Sequence, residues 1–168
     1  MTLEDIRRKA LTFQTKIRRR NAREYLFAAA GTILYGVFLW YLPGLLTKIG
    51  SALTLVAIYY VVYQINRDGA ARDLPADAAA GDCLAFHRRE LARQRDLLKR
   101  VGLWHLGPMV PGLALFFAGL WVEHVQSLKD AVIMTISVVL MAAVLAVVYW
   151  LNVRAANRLQ RDLDLLAE

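Results

Sequence analysis

The sequence predicts an all-α membrane protein: a bundle of four transmembrane helices built from two tandem repeats, each a basic amphipathic helix followed by a two-span hairpin. Three observations predict this fold: four long stretches without charge, a one-sided distribution of lysine and arginine, and a similarity between the two halves of the chain. The 168 residues are 58% hydrophobic and carry a net charge of +7. A single integral membrane domain accounts for both figures.

Four stretches contain no Asp, Glu, Lys or Arg, and they are 17, 17, 22 and 23 residues long: 26–42, 49–65, 101–122 and 131–153. A helix needs about 17–25 apolar residues to cross the hydrocarbon core of a bilayer. A soluble protein of this size has too little polar surface to cover four such helices. We therefore predict transmembrane spans at 26–42, 49–65, 104–122 and 131–151.

Lysine and arginine lie almost entirely on one side of these spans. Segments 1–24 and 66–100 hold eight each and the tail 152–168 holds three, whereas each short turn holds one. Positively charged segments stay on the cytoplasmic side of a membrane. We therefore expect a multi-pass protein of the bacterial inner membrane, with both termini and the central segment in the cytoplasm.

The two halves match when the chain is shifted by 81 residues. The identities include Arg7 with Arg88, Gly31 with Gly112, Leu34 with Leu115 and Trp40 with Trp121. A duplicated unit explains these matches, and chance matching in a chain rich in Leu, Arg and Ala is the alternative. Pro108 and Pro111 have no counterpart in the first half. Because each removes a backbone donor, we expect them to kink or delay the third span.

Both basic segments contain a helix with a narrow apolar stripe, at 3–20 and 83–100. Spacings of three and four residues define the stripes, which are Leu3, Ile6, Ala10, Phe13 and Ile17, then Leu84, His87, Leu91, Gln94 and Leu98. These helices either lie in the lipid interface or pair with each other or a partner, and the coiled-coil spacing favours pairing. Basic residues at the span ends are expected to contact anionic headgroups: Arg18, Arg19, Arg20, Arg23, Lys99 and Arg100.

Cys83 and His87 stand one helical turn apart and are the best candidates for a chemical site. A metal centre needs three or four ligands, and His124 is predicted to lie across the membrane from them. We therefore expect no metal, no cofactor, no catalytic residue and no enzymatic activity. No recognised DNA-binding motif accompanies the basic charge, so no nucleic acid partner is expected. Glu123 beside His124 is interpreted as polarity at the end of a span, with a pH-sensitive pair as the alternative.

Three runs carry a resemblance to a known group of proteins: IRRKALTFQTKIRRRNAREY, KIGSALTLVAIYYVVYQINR and DCLAFHRRELARQRDLLKRVGLWHLGPMVPG. They resemble small bacterial inner-membrane proteins that are often encoded beside sigma factors of the extracytoplasmic-function type. The resemblance covers residues 4–120 and is most specific over Leu84–Leu98. It implies no catalytic residues, and it points to membrane-linked regulation.

The sequence thus predicts a non-enzymatic membrane protein whose cytoplasmic helices bind a protein partner, either a sigma factor or another regulator. Two alternatives stay open. One is a small transporter or channel subunit with a path beside Pro108 and Pro111, although the spans lack the charged residues that usually mark such paths. The other is a homo-oligomeric structural protein of the membrane.

Overall fold

The computed structural model describes residues 3–72 and 80–166, and every regular element within these ranges is helical. Five α-helices and two π-helical turns follow one another: α1 Leu3–Tyr41, α2 Leu45–Gln64, a first π turn Ile65–Gly69, α3 Ala80–Lys99, a second π turn Gly102–Leu106, α4 Gly107–His124 and α5 Leu128–Leu165. The all-α prediction is confirmed.

Two of these helices are longer than the sequence pattern predicts. The helix predicted at 3–20 and the span predicted at 26–42 form the single helix α1, because residues 21–25 contain neither Gly nor Pro to interrupt it. The last span and the C-terminal tail merge in the same way into α5. The second half is interrupted instead, since a turn at Arg100 and the second π turn separate α3 from α4. Pro108 lies in the first turn of α4 and Pro111 lies inside the helix, which continues past both prolines to His124.

Within the described part of the chain, three helical segments are long and apolar enough to cross a membrane: Leu45–Gly69, Gly102–His124 and Leu128–Leu165. The first predicted span, 26–42, is the apolar end of α1 and is not among them. Tyr, Trp and Gly residues lower its mean hydropathy, although it contains no charged residue. The second span begins at Leu45 rather than at residue 49, because Lys48 lies inside the first turn of α2.

The closest helix packing in the structure joins α2 to α4, which run antiparallel. A Cβ added to Gly112 would lie 2.5 Å from Thr54 Oγ1 and 2.6 Å from the Thr54 backbone nitrogen. A Cβ on Gly119 would lie 2.5 Å from the backbone nitrogen of Thr47, and one on Gly50 would overlap the backbone of α4. Backbone therefore meets backbone along this interface, as small residues permit between membrane helices.

The hydroxyl groups buried in this interface all have acceptors. The Ser51 hydroxyl donates to the Thr47 carbonyl at 2.8 Å, and the Thr54 hydroxyl donates to the Gly50 carbonyl at 2.8 Å. The Thr47 hydroxyl crosses to α4 and donates to Glu123 Oε2 at 2.7 Å. These three side chains have no exposed surface. Hydrogen bonding removes the cost of placing hydroxyls where no water reaches.

Helix α1 packs on α2 at Ile58, one helical turn after Thr54, which contacts α4. A Cβ on Gly31 would lie 3.0 Å from Ile58 Cδ1, so this glycine faces α2 as its predicted repeat partner Gly112 does. Tyr35, Ile58 and Phe116 form a buried cluster where α1, α2 and α4 meet. The second half differs, because α4 and α5 touch little while α5 packs on α3. The duplication therefore stays a prediction.

Replacing Gly112 by Ala should lower the free energy of unfolding by about 1–3 kcal/mol, because the added methyl group forces the α2 and α4 backbones apart. Gly36→Ala is the matched control, since a Cβ there meets no atom within 4 Å. Unfolding of the purified protein in detergent, followed by tryptophan fluorescence, measures both. Equal stability of the two variants would contradict the proposed role of the close contact.

Candidate functional site

The charged parts of three helices come together at one end of the molecule. This polar module consists of residues 3–25 of α1, the whole of α3, and residues 152–165 of α5. Helix α3 lies in the middle, with an extensive interface to α5 and a smaller one to α1. Arg95 of α3 donates to Gln160 Oε1 of α5 at 2.7 Å, and Ala156 is fully buried between the helices.

The two apolar stripes predicted from the sequence meet inside this module. Their buried members are Ala10, Ile17, His87, Leu91, Gln94 and Leu98, and Phe13 and Leu84 are half-buried. Leu3 and Ile6 lie outside the described side chains. Cys83, which the repeat alignment places just outside the stripe, is also fully buried. The burial of Cys83 could have been predicted from its spacing of four residues from His87, because that spacing puts both residues on one helix face.

A cluster of side-chain donors surrounds the carbonyl groups that end the first π turn. Arg93 donates through its two terminal nitrogens to the carbonyls of Asp68 and Ala70, both at 2.5 Å. Asn21 Nδ2 donates to the Gly69 carbonyl at 2.9 Å, and Gln94 Nε2 lies 3.5 Å from the same oxygen. The last carbonyls of a helix lack partners of their own. Side chains of α1 and α3 therefore donate hydrogen bonds to the carbonyls that follow α2, and these bonds hold α2 to the module.

Two charged side chains in this cluster are withdrawn from water. Glu90 is only 3% exposed and forms an ion pair with Arg93, as a buried carboxylate requires. Arg20 donates to Asn21 Oδ1 at 3.0 Å and approaches the Gly69 carbonyl at 3.4 Å. Burial lowers the pKa of Arg20, and nearby Glu24 offsets part of this effect. Arg20 is thus half-buried in the module, whereas the other predicted headgroup contacts are exposed: Arg18, Arg19, Arg23, Lys99 and Arg100.

His87 is buried between the helices of the module at 7% exposure. Its ring stands edge-on to the Phe13 ring, with 5.8 Å between the centroids. Burial and the charge of Lys9 lower the pKa of His87, against an opposing effect of Asp162 on α5. A neutral, packed imidazole is the consequence. In the described ranges, no three His, Cys, Asp or Glu residues come close enough together to hold a metal ion.

Glu123, at the opposite end of the molecule, makes a contact that its sequence position does not reveal. Its carboxylate covers Gly44, where any Cβ would overlap it, and accepts from the Thr47 hydroxyl. Gly44 is the N-cap of α2 and supplies no side-chain cap. A carboxylate there complements the positive end of the helix dipole. Glu123 therefore links the end of α4 to the start of α2, while His124 is exposed.

Acidification should loosen the polar module, because the lowered pKa of His87 means that protonation favours the unfolded state. Stability is therefore full above the ordinary pKa of 6.5 and is lost as the pH falls through the lower folded-state value. His87→Phe should reduce the slope of Tm against pH between pH 8 and pH 5, whereas the exposed control His124→Phe should keep it. An unchanged slope in His87→Phe would contradict this reading.

No family model matches the chain, and neither a curated protein nor a solved structure matches it. A proposal for the function therefore rests on the geometry of the molecule. It offers a pair of closely packed apolar helices, a polar module fixed to their end, and an exposed basic surface on that module. Electrostatic recognition of an acidic surface is the chemistry that such a surface performs.

Proposed function

We propose that the chain crosses the bacterial inner membrane four times, with α1 as the additional span. The hairpin of α1 and α2 supports this topology. The Tyr25 hydroxyl donates to Asn66 Oδ1 at 2.6 Å at one end of the hairpin, and the two helices are joined by residues 42–44 at the other. Between these ends, Gly31 packs on Ile58. Because α2 is long and apolar enough to span, the stretch of α1 beside it lies at the same depth.

The distribution of basic residues then favours a cytoplasmic position for the polar module and for both termini. An alkaline phosphatase fusion after Gln126 should be active, because alkaline phosphatase folds only outside the cytoplasm. A green fluorescent protein fusion at the C-terminus should fluoresce. The exchanged fusions, with each reporter at the other site, are the controls. Phosphatase activity at the C-terminus would contradict the four-span topology.

The polar module, in this proposal, binds a protein partner through its exposed basic face, and the protein is not an enzyme. The observation that supports this proposal is that the described members of both apolar stripes are buried or half-buried within the chain, so arginine and lysine make up much of the exposed surface of the module. Exposed basic residues lie on all three helices: Arg8, Lys16 and Arg19 on α1, Arg88 and Arg89 on α3, and Arg158 and Arg161 on α5. An acidic cytoplasmic protein complements this face. The resemblance described above favours a sigma factor or another regulator.

A homo-oligomeric membrane protein is the second candidate, and α5 is the observation that favours it. None of the most apolar window of this helix is buried within the chain. Either lipid or a second copy covers that surface. A transporter gains no such support, because backbone contact between α2 and α4 fills the space where a path between them would run.

Photo-crosslinking in intact cells tests the partner proposal. A photoreactive residue at Arg19 or at Arg89, both exposed, should capture the same acidic protein, and one at Leu128, which is 82% exposed at the other end of the molecule, should not. Reversing charge with Arg88→Glu should lower the yield at Arg19 by about fivefold or more, as expected when a contact of about 1 kcal/mol becomes repulsive.

Equal adducts at all three positions, or a yield unaffected by charge reversal, would contradict binding through the basic face. A second copy of this chain as the captured protein would decide in favour of the homo-oligomer.

A further inference from the structure

A groove of about 520 Å³ lies where the polar module meets the apolar helices. Four arginines contribute to its lining: Arg67, Arg72, Arg93 and Arg100. Large apolar or aromatic side chains line it as well: Tyr60, Leu103 and Trp104. The groove is therefore amphipathic, with guanidinium groups and apolar surface within one concave site.

The lining residues come from the ends of two candidate spans and from the polar module. Tyr60, Arg67 and Asp68 belong to the candidate span Leu45–Gly69, and Leu103 and Trp104 belong to the candidate span Gly102–His124. Arg93 and Arg100 come from α3 and the turn after it, outside both spans. The groove thus opens at the depth of the lipid headgroups, where indole and phenol rings prefer to lie.

The rigid parts of the groove are held by contacts within the chain. Trp104 Nε1 donates to the Leu97 carbonyl at 2.9 Å, which fixes the indole ring. Arg93 is bound to the Asp68 and Ala70 carbonyls and to Glu90, so its position is set and its charge is balanced. The groove consequently exists before any ligand binds, which lowers the entropic cost of binding.

The positive charge of the groove exceeds its negative charge. Asp68 and Asp96 also line it, but Asp68 is paired with Arg67 at 2.9 Å and Asp96 with Arg95 at 2.7 Å. Arg100 is exposed, and its guanidinium has no carboxylate partner within residues 3–72 and 80–166. A free guanidinium beside apolar surface is suited to a phosphodiester attached to hydrocarbon.

We propose that this groove binds the headgroup of an anionic phospholipid, such as phosphatidylglycerol, with the phosphodiester on Arg100 and the glycerol and upper acyl chain on Leu103 and Trp104. Basic pockets beside transmembrane helices are suited to such headgroups. The proposal rests on α2 and α4 being spans and is independent of any protein partner. One bound lipid would then bridge the polar module and the apolar helices.

Native mass spectrometry of the whole protein in detergent tests the proposal with two added lipids, phosphatidylglycerol and phosphatidylcholine. The wild type should retain one phosphatidylglycerol at least tenfold more tightly than phosphatidylcholine. Arg100→Gln should weaken this binding about fivefold, the effect of one basic residue near a headgroup. Arg154→Gln is the matched control, because Arg154 is an exposed arginine of the polar module that does not line the groove.

Inorganic phosphate at millimolar concentration should not displace the lipid, since it cannot use the apolar part of the groove. Equal retention of the two lipids, equal weakening by Arg154→Gln, or displacement by phosphate would overturn the proposal. Quenching of tryptophan fluorescence by brominated phosphatidylglycerol should be reduced in Trp104→Phe, which gives a second measurement with Arg100 left unchanged. Unchanged quenching in Trp104→Phe would overturn the placement of the lipid.

Discussion

The direct contact of two helix backbones, α2 against α4, is the constraint from which the rest of the structure follows. Apolar side chains gain little from leaving lipid for another helix, so close van der Waals contact and hydrogen bonding must hold such helices together. Gly50, Gly112 and Gly119 permit that contact, and the hydroxyls of Thr47 and Thr54 find acceptors within it. Bulkier residues would separate the helices and leave these hydroxyls without a stable environment.

The same pair of helices determines where everything else lies. Helix α1 packs on α2 beside the interface, and the polar end of α2 receives donors from α1 and α3. Arg93 and Asn21 bind carbonyls that an ordinary helix end leaves open, so hydrogen bonds hold the end of α2 to the module. Helices α1 and α5 enter the module without a break.

Much of this architecture could be predicted from residue patterns, because charge-free windows and three-four spacing are local properties. The windows locate α2, α4 and α5, and the stripes identify the residues buried in the module, including His87 and Gln94. The continuity of α1 could not be inferred from hydropathy, which changes sign at residue 25 while helix propensity does not. Likewise, Glu123 over Gly44 and Arg20 inside the module depend on tertiary contacts between distant residues, which a local pattern does not contain.

Helices α1 and α5 each pass from apolar to polar sequence without a break, at 39 and 38 residues. A continuous helix tilts as a rigid body, because bending it requires the loss of hydrogen bonds. The polar part of α1, residues 3–25, extends for roughly 35 Å at 1.5 Å per residue. In the proposed four-span topology, a tilt of about 10° would displace its tip by about 6 Å. Changes in bilayer thickness, which alter helix tilt, would then move the basic residues of the module.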